Sequence, residues 1–301
     1  MKFSTMKSVK VILQLIATSM IVAAAGCSSD NRSAPDAGAQ ADAAVPGDAP
    51  AGSATLQLAT SATLGSYLTD GGGRALYLYS KDVPAASGAA ASTAVSNCSG
   101  GCLTAWPVFH ADTIAPGPGL QAADFGELTR ADGSKQTTFH GWPLYYFASD
   151  AQPGEPKGEG VGNVWFVLRD PFYSMLVMSS PVQGGPALYL STPGGMTLYY
   201  YTPDTVGTGA TPPTSACTGG CLQVWPAFLA GGAVLPSKLA AALTSFDRGG
   251  GVMQSAWNGH PLYVYATDKK PGDVKGDKVG NVWFVVDPTM LQQAVTGQRD
   301  R

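Results

Sequence analysis

Apolar and polar positions alternate along this chain in short runs bounded by Gly, Asp and Pro, a pattern that predicts strands. Tyr77 and Tyr79 stand two apart, as do Tyr145 and Phe147, Tyr199 and Tyr201, and Tyr263 and Tyr265. A strand places each such pair on one face. Turn signals precede them. Asp70-Gly71-Gly72-Gly73 leads into residues 76–79, and Asp132-Gly133 leads into 135–139. Pro193-Gly194-Gly195 and Arg248-Gly249-Gly250-Gly251 occupy similar places further on. Asp-Gly and Gly-Gly supply the positive φ of tight hairpins. Residues 164–168 and 282–286 are almost continuously apolar, which suits strands buried on both faces. No amphipathic helix of usual length stands out. Short helical turns are expected at 103–106 and 222–225, with a further candidate at 238–243. The fold class is all-β.

The pattern repeats. Residues 139–168 align without gaps on 257–286, with 17 of 30 positions identical. CSGGCLTAWPVF (98–109) matches CTGGCLQVWPAF (217–228), and 66–82 matches 187–204. The order is the same in both halves at an offset of about 120 residues, so the chain is a tandem duplication. Inside each half a finer motif, Y-x-[FY]-x-x-D, occurs twice: Tyr77/Tyr79/Asp82 and Tyr145/Phe147/Asp150, then Tyr199/Tyr201/Asp204 and Tyr263/Tyr265/Asp268. With its C-x-G-G-C, W-P-x-F and G-x-P-L-Y flanks, the sequence resembles the predicted bacterial lipoproteins with a Y-x-[FWY]-x-x-D motif, a secreted repeat of unknown function. The resemblance covers residues 54–290. It implies a location and carries no activity to transfer. Each lobe is expected to hold two antiparallel repeats, four units in all.

The N-terminus reads as an export signal. Lys2, Lys7 and Lys10 precede an apolar run over 11–25, and Ala24-Ala25-Gly26-Cys27 follows. Small residues suit a signal peptidase, and the Cys resembles a lipobox, with Cys27 lipidated and becoming the new N-terminus. An ordinary signal peptide or a membrane-spanning helix are the alternatives; the run is short for a span of about 20 residues. Ser28 stands where an Asp would signal inner-membrane retention, which favours the outer membrane. Residues 27–53 hold no aromatic and are dominated by Ala, Pro, Asp, Gly and Ser. Such a segment buries too little apolar surface to offset its ordering entropy and reads as a flexible stalk. The expected organisation is signal peptide 1–26, lipidated Cys and linker 27–53, lobes at 54–173 and 183–290, and a tail at 291–301.

Charge is sparse and nearly balanced, at net −3, and no stretch concentrates Lys or Arg enough to hold a phosphate backbone. Nucleic acid is therefore not an expected partner; the membrane is, through Cys27, together with a protein or envelope polymer. Cys98/Cys102 and Cys217/Cys221 form two C-x-x-x-C pairs. An exported compartment favours disulfides, each closing a five-residue loop worth about 2 kcal/mol on a chain-entropy basis. The alternative is redox or metal handling, for which Met196 and Met253 are the sole further hints, at unmatched positions. Of three histidines, His110, His140 and His260, none recurs at a matching position. Hydrolase, nucleotide and zinc-protease motifs are missing.

The four motif Asp admit two readings. They could bind a ligand such as calcium, helped by the matched acids Glu155/Asp273 and Glu159/Asp277, or each could accept backbone N–H bonds and fix a turn. The matched tryptophans Trp106/Trp225 and Trp165/Trp283 read as core, whereas the unmatched Trp142 and Trp257 read as surface contacts. No catalytic residue, metal ligand set or cofactor is assigned. The chain reads as a non-enzymatic binding or structural lipoprotein of the cell envelope; the alternative is a periplasmic redox or metal-handling protein.

Overall fold

A computed structural model describes residues 55–86, 89–179, 188–232, 234–237, 239 and 242–288. The expected signal peptide, Cys27, linker and C-terminal tail lie outside the described residues, as do three of the six residues of the helical candidate at 238–243, whose last residue, Leu243, opens a strand instead.

Among the described residues fifteen short strands form six small antiparallel sheets. β1 (Leu56–Ser61) pairs with β2 (Gly65–Asp70), which also pairs with β8 (Arg169–Asp170). β3 (Tyr77–Tyr79) pairs with β7 (Trp165–Val167). β4 (Phe125–Thr129), β5 (Lys135–Phe139) and β6 (Trp142–Pro143) make a meander. The same plan recurs. β9 (Leu176–Ser179) pairs with β10 (Leu188–Ser191), and β11 (Tyr199–Tyr201) with β15 (Trp283–Val285). β12 (Leu243–Asp247), β13 (Met253–Trp257) and β14 (His260–Pro261) make the second meander. We call β1–β8 the first lobe and β9–β15 the second. The fold is all-β, and the two helices are single turns, α1 (Cys102–Ala105) and α2 (Cys221–Val224), where the sequence placed them.

Local chemistry explains the tight corners. His140-Gly141 and Asn258-Gly259 join β5 to β6 and β13 to β14, with φ of 47° and 82° in the first and 46° and 81° in the second. Two successive positive φ values twist a two-residue hairpin the way strands twist.

One sequence expectation is modified. Tyr145–Phe147 and Tyr263–Tyr265 are not regular strands: Tyr145 makes single bridges to Tyr77 and Val108, and Tyr263 to Tyr199 and Ala227. Each tyrosine is wedged between two other segments, so pairing cannot propagate along either one. A second expectation is overturned. Trp142 and Trp257 are fully buried, not surface contacts. They lie in the cross-strand pairs Phe139↔Trp142 and Trp257↔His260. The two lobes place their large ring on opposite members of one pair, which a gapless alignment reads as failure to recur.

The lobes share a core. Leu78, Trp142 and Phe166 of the first lie in one apolar cluster with Met178, Tyr189 and Tyr199 of the second. Trp142 Nε1 donates to the Pro193 carbonyl at 2.9 Å, and Arg169 Nη1 donates to the Leu235 carbonyl at 3.3 Å.

Candidate functional site

The four motifs meet in pairs. In the first lobe Tyr77 and Tyr145 exchange both backbone hydrogen bonds, at 2.9 and 3.0 Å; Tyr199 and Tyr263 do so in the second, both at 2.9 Å. Each tyrosine then reaches the aspartate of the other motif. Tyr77 Oη donates to Asp150 at 2.6 Å and Tyr145 Oη to Asp82 at 2.7 Å. Tyr199 Oη donates to Asp268 at 2.8 Å and Tyr263 Oη to Asp204 at 2.7 Å. The first aromatic of each motif is thus spent on its partner's carboxylate.

The second carboxylate oxygen holds a loop. Asp82 accepts from Asn97 N at 2.6 Å and Asp204 from Ala216 N at 2.7 Å, pinning the residue just before each Cys pair. Asp150 accepts from Lys157 N at 2.9 Å and Asp268 from Lys275 N at 3.0 Å. All four aspartates are buried, none more than 7% exposed. Burial pushes every one of their pKa values up, Asp82 to about 7, against the pull of these hydrogen bonds. The tyrosines are likewise held above their ordinary range, by burial first and then by the carboxylates they touch.

The second aromatic of each motif has a different task. Phe147, Trp106, Trp165 and Tyr79 form a four-ring stack, with centroids 4.3, 3.8 and 4.1 Å apart. Tyr265, Trp225, Trp283 and Tyr201 repeat it at 4.1, 3.9 and 4.2 Å. The paired indoles are nearly parallel, at 2° and 3°. Gly158 and Gly276 sit flat against this arrangement. A Cβ on Gly158 would come within 2.8 Å of Trp106 and Tyr77, and one on Gly276 within 2.9 Å of Tyr199 and Trp225.

Both Cys pairs are closed. Cys98–Cys102 and Cys217–Cys221 are disulfides with Cα–Cα of 5.4 Å. Cys98 and Cys217 are buried against the ring stacks, and the Gly-Gly between the sulfurs forms the exposed tip. Beneath each disulfide lies an arginine, Arg130 in the first lobe and Arg248 in the second. Arg130 Nη2 donates to the Cys98 carbonyl at 2.6 Å, and its Nη1 donates to Gln136 Oε1 at 2.7 Å and to Ser96 Oγ. Ser96 in turn meets Tyr145 Oη. In the second lobe Arg248 Nη2 donates to the Cys217 carbonyl at 2.7 Å and to Ser215 Oγ at 3.4 Å, and Ser215 meets Tyr263 Oη. Gln254 donates to the Leu262 carbonyl at 2.9 Å, as Gln136 does to Leu144 at 2.8 Å. Ser, Arg and Gln recur at matched places in both lobes; that recurrence was the available signal.

The remaining acids are also engaged. Glu155 pairs with Lys157 at 2.7 Å and Asp273 with Lys275 at 2.8 Å. Glu159 accepts from Val167 N at 2.8 Å and Asp277 from Val285 N at 3.2 Å, closing the loop onto β7 and β15. Each matched pair ties down a piece of its own loop. Among the described residues no three His, Cys, Asp or Glu gather as a metal site would need. Met196 and Met253 stand apart from any such group. His110 bridges to Glu127 at 3.0 Å on the surface, His140 lies 3.7 Å from Asp124, and His260 packs edge-on to Tyr200.

Fold and site together define a duplicated all-β module in which motif tyrosines and aspartates lock two half-repeats together. A family model described as a secreted repeat of unknown function matches the chain three times, over 126–169, 189–228 and 244–287. The repeat that this family model describes therefore occurs three times in the chain. The three matches cover the second half of the first lobe and both halves of the second. Tyr77 and Asp82 make the same contacts as Tyr199 and Asp204, so the structure supplies a fourth unit ahead of the first match. No curated protein and no solved structure matches the chain. The family description fits an extracellular or envelope protein; among the described residues no helix is long and apolar enough to cross a membrane.

Proposed function

We propose that the chain is a lipid-anchored, non-enzymatic module of the cell envelope, held on a flexible stalk and acting as a rigid binding or structural scaffold. The observation that carries this reading is the internal use of the motif. Four tyrosines, four aspartates and four cysteines, the residues best suited to chemistry, are each consumed by another residue of the chain. A carboxylate with a tyrosine hydroxyl on one oxygen and a backbone N–H on the other has little left to offer a substrate or a cation. A redox or metal-handling role would need a reachable sulfur, and the first Cys of each pair is buried. The anchor rests on the small residues before Cys27 and on Ser28 after it, which supports an outer-membrane address.

The test is fractionation of cells making the full chain or Cys27→Ser, with metabolic labelling by a radioactive fatty acid. The full chain is expected in the outer-membrane fraction and labelled, and the variant unlabelled and released. Label on the variant, or an unlabelled wild type, would overturn the anchor. Thiol titration under denaturing conditions addresses the scaffold: two disulfides that survive mild reductant are expected, and rapid exchange would favour the redox alternative.

A further inference from the structure

A groove of about 590 Å³ opens on the first lobe beside the turn that carries Pro193 and Gly194. Ala85, Ala91, Ala123, Phe125 and Phe172 are among the residues that line it. Three polar side chains face it: Asp124, Thr138 and His140. Thr138 is 1% exposed, and its hydroxyl has no hydrogen-bond partner. A buried hydroxyl without a partner is unfavourable, so this wall of the groove carries unspent hydrogen-bonding capacity. Among the described residues Asp124 pairs with His140, whose Nδ1 lies 3.7 Å away. Partial burial holds the His140 pKa below its ordinary value, against the pull of Asp124 and Asp170. Among the described residues the groove therefore presents one carboxylate, two further acceptors and aromatic side chains, with no Lys or Arg in its lining.

The polar set belongs to the first lobe alone. The residues paired as Phe125↔Phe139 and Gly126↔Thr138 correspond to Leu243↔Trp257 and Thr244↔Ala256. His140 N donates to the Asp124 carbonyl as Asn258 N does to that of Ala242. Asp124, Thr138 and His140 are thus replaced by Ala242, Ala256 and Asn258. Duplication preserved the motif crossings and left this groove's chemistry in one copy, which separates it from scaffold.

We propose that this groove binds a small organic ammonium ion with an apolar body. The carboxylate of Asp124 supplies the counter-charge, and Phe125 and Phe172 offer π faces that attract a cation. The alanine walls accommodate the apolar part, and Thr138 Oγ accepts an N–H where the ligand carries one. The inference gives a ligand class to the binding module proposed above and rests on that reading.

Titration of the purified full chain with benzylamine, benzyl alcohol and benzoate, three probes sharing one ring, tests it by calorimetry or ligand-observed NMR. One saturable site is expected, with benzylamine held about tenfold tighter than the alcohol and benzoate weakest. Asp124→Asn should bring benzylamine to the level of the alcohol, and Ala123→Trp, at the exposed rim, should abolish binding of both. Equal binding of the three probes, two sites per chain, unchanged affinity in both variants, or no saturable binding would each overturn the proposal. Fatty-acid labelling of Cys27 and the disulfide titration are read separately, so the anchored scaffold stands or falls without it.

Discussion

In the first lobe Leu78, Phe166 and Trp142 are buried to 2% exposure or less. At the same places in the second lobe stand Tyr200, Phe284 and His260, all half-buried. Tyr200 stacks on Phe284 at 5.8 Å and meets His260 edge-on at 5.4 Å. The first lobe's face shares an apolar cluster with the second lobe, and its indole nitrogen bonds to the Pro193 carbonyl. The second lobe's face carries Tyr200 and His260 in place of Leu78 and Trp142. The outer edges diverge in the opposite sense. His110, Glu127 and Lys135 form a charged patch on the first lobe, whereas the matching Leu229 and Met253 of the second are apolar and about half exposed, at 52% and 49%. The crossings, the ring stacks and the disulfide turns recur in both lobes while the surfaces diverge, which marks them as the shared scaffold.

The sharpest test of that shared interior is also the most destructive. Trp165→Ala and Trp283→Ala should each cost about 4 kcal/mol, the usual toll for a buried tryptophan, read as a shift in denaturant midpoint. Equal costs support equivalent stacks; a loss confined to one lobe would break the equivalence.

Protonation separates the lobes next. The folded state raises Asp82 from 3.8 to about 7, so it takes up a proton that the unfolded chain, ionised above pH 4, does not. Stability from this group is therefore fully present below pH 4 and is lost as pH rises through about 7. The difference is on the order of 2–4 kcal/mol. His140 and His260, both lowered by burial, act oppositely below their ordinary pKa. Comparing wild type with Asp82→Asn between pH 8 and pH 5 isolates the aspartate: the wild type should gain stability relative to the variant as pH falls. Parallel pH curves would refute the buried-acid account.

A smaller effect is expected at the arginines. Arg130 is 7% exposed and satisfies Gln136 Oε1, whereas Arg248 is half-buried and Gln254 Oε1 has no partner. Arg130→Ala should cost about 3 kcal/mol and Arg248→Ala about 1, measured as chemical-denaturation free energies. Reversal of that order would contradict the tighter network assigned to the first lobe.

The phenol hydroxyls are expected at the low end of this range. Tyr145→Phe and Tyr263→Phe should each lose about 1–2 kcal/mol. A double-mutant cycle of Tyr145→Phe with Asp82→Asn should show coupling of at least about 0.5 kcal/mol; additive losses would argue against the crossing.

Much of this molecule was legible before any coordinates. The duplication, the strand at 135–139 and the helical turns after each C-x-G-G-C followed from local pattern, because turn residues and period-two alternation act over a few neighbours. Trp142 and Trp257 misled because a gapless alignment compares positions, while a cross-strand pair can exchange its large and small members and keep its volume. The role of the aspartates was left open because a carboxylate's partners lie far along the chain. Asp82 and Tyr145 are 63 residues apart, and Tyr77 and Asp150 are 73 apart.

By itself the sequence determined that four aromatic-then-acid units exist, that they fall in two matched halves, and that the chain favours strands, since each of these is written in local composition and periodicity. Only the tertiary structure decided that each tyrosine serves the other unit's aspartate, that an arginine lies under each disulfide, and that the two lobes share one core. Those choices depend on which distant groups come within hydrogen-bonding range once water is excluded, and no spacing along the chain records that.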